Sequence, residues 1–81
     1  MSTKQRHLLS MWYSACIKAQ AQRVTDGKSD PALTAGEMGR QMGVTRQTAK
    51  KYMLHLVGEG YLTPHLYTEK NGVVGVRYHV D

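Results

Sequence analysis

Residues 34–62 read TAGEMGRQMGVTRQTAKKYMLHLVGEGYL, and this stretch decides the fold of the chain. Thr34, with Glu37 three residues later, makes the T-x-x-E pattern of a capping box, which predicts a helix over residues 35–42. Gly43 ends that helix, because glycine readily adopts the left-handed conformation that a sharp turn needs. The stretch therefore begins with a short helix and a tight turn.

A second helix is predicted directly afterwards, over about residues 46–57, with Thr45 as its N-cap and Gly58 at its end. Helical spacing separates its side chains into two faces. The side chains expected to point inward are Ala49, Tyr52, Met53 and Leu56. Those expected to point outward or to flank that face are Arg46, Gln47, Lys50, Lys51 and Leu54. One face is thus apolar and the other is mainly cationic.

The chain before this stretch predicts a longer helix over about residues 3–23. Its apolar stripe, at helical spacing, consists of Leu8, Leu9, Trp12, Cys16 and Ala19. Residues 24–33, VTDGKSDPAL, predict a loop, because Asp-Gly, Ser-Asp and a proline within ten residues do not sustain a helix. Ala32 and Leu33, at the end of this loop, are expected to add a short strand beside a later hairpin.

The C-terminal residues change to an alternating pattern and predict a β-hairpin over about residues 61–80. A three-residue loop over residues 70–72, with its glycine in the left-handed conformation, pairs Leu66 with Val76 and places all the apolar residues on one face. A two-residue Asn-Gly loop would mix polar and apolar side chains on both faces. The sequence therefore predicts an α+β fold, a single domain over residues 1–81 with three helices and a C-terminal hairpin.

The charge of the chain favours a polyanionic partner. The 81 residues include 11 Lys and Arg against 6 Asp and Glu, which gives a net charge of +5. Residues 2–25 contain four cations and no acid, and residues 38–58 contain another four and no acid. Two acid-free helices in one small domain indicate a continuous positive surface.

Several classes of function have no support in the sequence. A single cysteine, Cys16, cannot form an internal disulfide, and no apolar run is long enough to span a membrane, so a cytoplasmic protein is expected. Paired carboxylates, a phosphate-binding loop and a nucleophile with a base are all missing, which predicts neither an enzyme nor a cofactor. His65 and His79 lack a third ligand, so no metal site is expected.

Three helices, a glycine turn between the second and third, and a C-terminal hairpin resemble the winged helix-turn-helix superfamily of DNA-binding proteins. The resemblance covers about residues 8–80. The residues that carry it are Met38, Gly39, Met42, Gly43, Val44, Thr45, Thr48, Ala49, Lys51, Met53, Leu56, Gly60 and Leu62. The chain departs from the usual pattern at Gly39, where alanine is more common, and at Met38 and Met42, where leucine is more common.

The resemblance implies that residues 46–57 form a recognition helix, which lies in the major groove of DNA. The implied DNA-binding residues of this helix and its cap are Thr45, Arg46, Gln47, Thr48, Lys50 and Lys51. Arg46 or Lys50 would donate to guanine, and Gln47 would pair with adenine. The other three would contact phosphate or, for the threonines, a thymine methyl group.

The hairpin would then be the wing of the domain. Lys70 and Asn71, at its tip, would reach the minor groove or the DNA backbone, or else form an ordinary exposed turn. Arg77, opposite His65 on the outer face of the hairpin, would face either phosphate or solvent. These three wing residues complete the predicted DNA-binding surface.

The leading hypothesis is a sequence-specific duplex-DNA-binding protein, a transcriptional regulator that represses by operator occlusion and is similar to small phage- or plasmid-encoded regulators. A homodimer would use the first helix, through Leu9, Met11, Tyr13 and Ile17. One alternative is a winged-helix protein-interaction module that uses Tyr61, Tyr67 and the Val73 edge of the wing. Another is a DNA replication or recombination accessory factor.

Overall fold

The computed structural model describes residues 2–81 as three α-helices followed by a two-stranded antiparallel hairpin. The elements are α1 (Thr3–Thr25), α2 (Ala35–Met42), α3 (Arg46–Gly58), β1 (Leu62–Thr68) and β2 (Val74–Val80). This is the predicted α+β layout, with α1 two residues longer and α3 one residue longer than expected. Within residues 2–81, none of the helices has both the length and the apolar character needed to cross a membrane.

Hydroxyl side chains begin all three helices, at Ser2, Thr34 and Thr45. Thr34 Oγ1 accepts the Glu37 backbone N–H at 3.1 Å, and Glu37 Oε2 accepts the Thr34 N–H at 3.2 Å. The predicted capping box is therefore confirmed. Gly43 follows α2 with a φ of 72°, the left-handed conformation predicted for the turn.

Gly39, within α2, allows this helix to approach the turn that leads into α3. A Cβ atom on Gly39 would lie 3.0 Å from the Val44 carbonyl oxygen and 3.2 Å from that of Thr45. Both neighbours are backbone atoms, so they cannot rotate away as a side chain can. The crossing of α2 and α3 is consequently close at this position.

The core lies between the three helices and the part of the hairpin nearest them. Its largest fully buried side chains include Cys16, Leu33, Met38, Met53 and Leu56. Trp12 of α1 stacks on Tyr52 of α3 with ring centroids 5.0 Å apart. The predicted inward face of α3 and the predicted stripe of α1 are both part of this core.

The hairpin has the predicted register. Leu66 lies opposite Val76, the Glu69 N–H donates to the Val73 carbonyl at 2.8 Å, and Gly72 has a φ of 85°. These features confirm the three-residue loop with a left-handed glycine. The register also fixes which side chains share each face of the hairpin.

Where the sequence predicted a short strand at Ala32 and Leu33, the structure has a single antiparallel β-bridge between Leu33 and Tyr78. The Leu33 N–H donates to the Tyr78 carbonyl at 2.8 Å, and the Leu33 carbonyl accepts the Tyr78 N–H at 2.7 Å. The loop after α1 is thereby attached to the free side of β2. This attachment holds the hairpin against the helical part of the domain.

The apolar face of the hairpin is only half covered. Leu62 and Tyr78, near the helices, are buried, whereas Leu66 is 73% exposed and Val74 and Val76 are also exposed. The alternating pattern predicted one shared apolar face, and the register confirms it. The loop end of that face extends beyond the core.

Candidate nucleic-acid interface

The outward side of α3 brings together the residues predicted to bind DNA. Arg46, Gln47, Lys50 and Lys51 are all exposed, and they share this side of the domain with the N-cap residue Thr45. Among residues 2–81, no salt bridge includes a residue of α3. The cations of this helix are therefore available to an external anion.

Thr45 and Thr48 form hydrogen bonds with each other that cap the N-terminus of α3. The Thr45 hydroxyl donates to Thr48 Oγ1 at 3.0 Å and accepts the Thr48 N–H at 3.2 Å. Thr48 is half-buried, while Thr45 is exposed. The pair fixes the first turn of α3 and so orients the side chains of Arg46 and Gln47, which lie between them in sequence.

A groove of about 560 Å³ separates α2 and α3 from the hairpin. Its helical side includes Arg40, Arg46 and Lys50, and its hairpin side includes Val74 and Val76. Arg40 was not among the predicted site residues, although it belongs to the acid-free stretch of residues 38–58. The helical wall of the groove is thus cationic, and the hairpin wall combines these valines with Tyr67 and the Glu69 side chain.

Lys70 and Asn71 lie at the exposed loop of the hairpin, as predicted. The Asn71 side-chain oxygen accepts the Val73 backbone N–H at 3.1 Å, so this oxygen is already used to form the turn. Lys70 presents a cation at the tip.

Of the two alternatives predicted for Arg77, a side chain facing solvent is wrong, while a contact with phosphate stays a prediction. The Arg77 guanidinium donates to the Ala32 carbonyl at 2.9 Å and to Glu37 Oε1 at 3.3 Å, and it lies 4.8 Å from the centroid of the Tyr67 ring. Only 18% of the side chain is exposed. The carboxylate of α2 covers this part of the outer hairpin face and holds the arginine.

Glu37 also binds a second arginine. Arg23, near the end of α1, donates to the same Glu37 oxygen at 3.2 Å and makes two hydrogen bonds, at 3.1 and 2.7 Å, to the Asp30 carbonyl. One carboxylate thereby joins α1, α2 and β2. Sequence reasoning placed Glu37 in a capping box and missed these long-range partners.

Asp30 anchors the loop after α1 to the hairpin. Its carboxylate accepts the Ala32 N–H at 3.0 Å and lies 3.0 Å from His65 Nε2. The Ala32 hydrogen bond, followed by that of His65, lowers the pKa of Asp30 below its usual value. Within residues 2–81, no group of three or more His, Cys, Asp or Glu side chains is placed to hold a metal ion.

The four residues predicted to form a dimer face do not form one patch. Leu9 is buried in the core, and the Tyr13 ring packs on Tyr61 at 4.9 Å. Met11 and Ile17 are exposed, at 51% and 44%, but they are six positions apart and point roughly 120° away from each other around the helix. The prediction is wrong for Leu9, which the helical stripe itself directs inward.

Comparisons with protein-family models, curated proteins and solved structures find no match to this chain. The functional interpretation therefore rests on the geometry and charge of the interface. Its central feature is the exposed cationic side of α3 beside the groove to the hairpin.

Proposed function

We propose that this protein is a winged helix-turn-helix protein that binds specific sequences of duplex DNA and regulates transcription, as a repressor that occludes an operator. The observation that carries the proposal is the outward side of α3. It presents Arg46, Gln47, Lys50 and Lys51 together, exposed and outside every salt bridge of residues 2–81. A convex, cationic helix face suits a polyanion with a groove as wide as a helix.

In this proposal α3 lies in the major groove, which is about 12 Å wide and accepts an α-helix. Arg46 or Lys50 donates to the O6 and N7 atoms of guanine, and Gln47 makes paired hydrogen bonds with adenine. Lys51, on the flank of the helix nearer α1, contacts phosphate. Base contacts give the sequence preference, while phosphate contacts supply affinity and position.

The groove beside α3 supports a second set of contacts. Arg40 adds a cation that faces the hairpin across this groove, and Lys70 adds one at the hairpin loop. The phosphates of a DNA strand that passes α3 would contact both Arg40 and Lys70. Together with α3, this surface supplies about 4–6 phosphate contacts, which sets the expected salt dependence.

The test is a titration of random-sequence duplex DNA at several salt concentrations, followed by fluorescence anisotropy. A protein with about 4–6 phosphate contacts gives a slope of log affinity against log salt near −4 to −5. A flat response, or no binding at low salt, would contradict the proposal. Selection of bound sequences from a random pool then identifies the preferred site.

The symmetry of the selected site tests the number of copies bound. One module of this size has a small contact surface, so we expect two copies on a two-fold site or on adjacent sites. A palindromic site with two proteins bound supports the symmetric arrangement. A site without symmetry that binds one protein contradicts it.

A second candidate, a winged-helix protein-interaction module, has one observation in its favour. Four aliphatic side chains at the loop end of the hairpin are exposed: Leu66, Val73, Val74 and Val76. The predicted contacts Tyr61 and Tyr67 are less suitable, because Tyr13 packs on the first and Arg77 lies over the second. Absence of DNA binding, with partner binding lost on Leu66→Ser, would favour this candidate.

A DNA replication or recombination accessory factor would share the same DNA contacts. The position of the selected site separates this role from that of a regulator. A site that overlaps a promoter supports regulation, whereas a site confined to a replication origin or a recombination locus supports the accessory role.

A further inference from the structure

Leu54 is an apolar residue on the face of α3 that the proposed function assigns to DNA. Of the residues of α3, all of which the structure describes, it is the one large hydrophobic side chain that is exposed, at 48%. Ala49, Met53 and Leu56 of the same helix are buried in the core. Packing within the domain therefore gives no reason for leucine at this position.

Leu54 lies on the same line of the helix surface as Gln47. Seven residues correspond to about two helical turns, so the two side chains point in nearly the same direction. Lys50 and Lys51 lie between them, and all four line one shallow depression, which also includes His55. A helix in the major groove reaches base edges with such an i, i+3, i+4, i+7 row.

The acid Glu59 marks the end of this row. It lines the same depression just beyond the end of α3. A carboxylate there repels phosphate, so the favourable surface extends from the beginning of α3 to Leu54 and no further. Leu54 is consequently the last residue of the row that faces DNA.

The chemistry of the major groove selects what an exposed leucine can contact. Base edges there present hydrogen-bond donors and acceptors, and the only apolar group is the C5-methyl group of thymine. Leucine against guanine or cytosine would leave a polar edge without a partner, which costs free energy. Contact with thymine instead buries two apolar groups.

We infer that Leu54 is a specificity-determining residue that recognises the methyl group of a thymine. This inference rests on the proposed function. Seven residues of helix rise about 10.5 Å, and DNA rises about 3.4 Å per base pair, so the thymine lies no more than about three base pairs along the duplex from the base read by Gln47. Leu54 thereby adds a preference for thymine at a second position, through the methyl group rather than through hydrogen bonds.

The experiment begins with the DNA site selected by the wild-type protein. Each thymine of that site is replaced in turn by deoxyuridine, which removes only the methyl group, and affinity is measured. We expect one replacement to weaken wild-type binding about fourfold, the factor that corresponds to one buried methyl group. Leu54→Ala should bind the thymine and deoxyuridine sites equally.

Val24→Ala is the matched control, because Val24 is an exposed apolar residue of α1 that belongs to none of the proposed contacts. It should retain the wild-type response to deoxyuridine. Thermal unfolding of Leu54→Ala should match the wild type, since the side chain is outside the core cluster. These measurements separate loss of the methyl contact from loss of the fold.

Two results overturn the inference while the proposed function stands. In the first, the wild type prefers its selected site but no deoxyuridine replacement weakens binding. In the second, Leu54→Ala retains the loss shown by the wild type. If instead the wild type prefers no duplex sequence at all, the proposed function fails, and the inference fails with it.

Discussion

The guanidinium of Arg77 lies 3.3 Å from the carboxylate of Glu37, although 40 positions separate the two residues in sequence. The same carboxylate oxygen accepts a hydrogen bond from Arg23 at 3.2 Å. This arrangement ties the hairpin to α2 and to the end of α1. The width of the groove between the helices and the hairpin therefore depends on an internal ion pair.

Arg77→Ala should lower the free energy of unfolding by about 1–3 kcal/mol, because it leaves part-buried oxygens of Glu37 and Ala32 without this donor. Urea unfolding measures the change. Lys70→Ala, at the exposed hairpin loop, removes the same charge and should change stability by less than about 0.5 kcal/mol. If Arg77→Ala unfolds like the wild type yet binds DNA more weakly, Arg77 contacts DNA after all.

Gly39→Ala tests the close approach of α2 to the following turn. Alanine gains about 1 kcal/mol of helix propensity over glycine, but its Cβ would press on two backbone oxygens at 3.0 and 3.2 Å. We expect the contact to dominate, so that the variant is less stable than the wild type. Gly58→Ala is the control, since its Cβ would have no atom within 4 Å among the neighbours described, and it should be neutral or stabilising. Higher stability of Gly39→Ala would contradict the account of this crossing.

The Asp30 carboxylate should contribute to the acid sensitivity of the fold. Its folded pKa lies below the value near 3.9 of an unfolded chain, so its contribution is present above that value and is lost as pH falls through the folded pKa. Asp30→Asn should therefore show a shallower loss of stability between about pH 5 and pH 2 than the wild type. The free energy of unfolding is measured with urea at each of these pH values. If it falls equally steeply with pH in both proteins, Asp30 does not contribute to the acid sensitivity.

Cys16 should be inert in the folded protein. Its side chain is fully buried, and burial raises its pKa to about 11, so the thiol is protonated at neutral pH. A thiol reagent should label it only as fast as the protein opens, and quickly in concentrated urea. Rapid labelling of the native protein would show that the α1 side of the core opens more readily than its packing indicates.

The sequence predicted those features that depend on nearby residues. Thr34 and Glu37 are three positions apart, and the hairpin register follows from alternation around a short loop. Alternation also placed Arg77 on the outer hairpin face. It could not reveal that Glu37 covers this face, because that depends on how α2 packs. Leu9 shows a different error, since its place in the apolar stripe already directed it to the core.

In the candidate site too, the features set by nearby residues were predictable, and those set by the packing of distant elements were not. The positions of Arg46, Gln47, Lys50 and Lys51 on one side of α3 follow from helical periodicity, and the structure has them there. The groove that adds Arg40 needs the position of the hairpin relative to α2 and α3. A surface made by one helix was therefore predictable, and a surface made by three elements was not.

The central claim is that the outward side of α3 reads duplex DNA. Its most direct test compares affinity for the selected site with affinity for a scrambled duplex, in the wild type and in the double variant Arg46→Ala with Lys50→Ala. Each bidentate base contact contributes roughly 1–3 kcal/mol of discrimination, so the preference should fall at least about tenfold.

Lys4→Ala with Lys18→Ala is the matched control, because it removes two exposed cations of α1 and the same net charge. This control should retain the preference with somewhat weaker overall binding. We expect only the α3 variant to lose the preference for the selected site over the scrambled duplex. Full preference in the Arg46 and Lys50 double variant would contradict it.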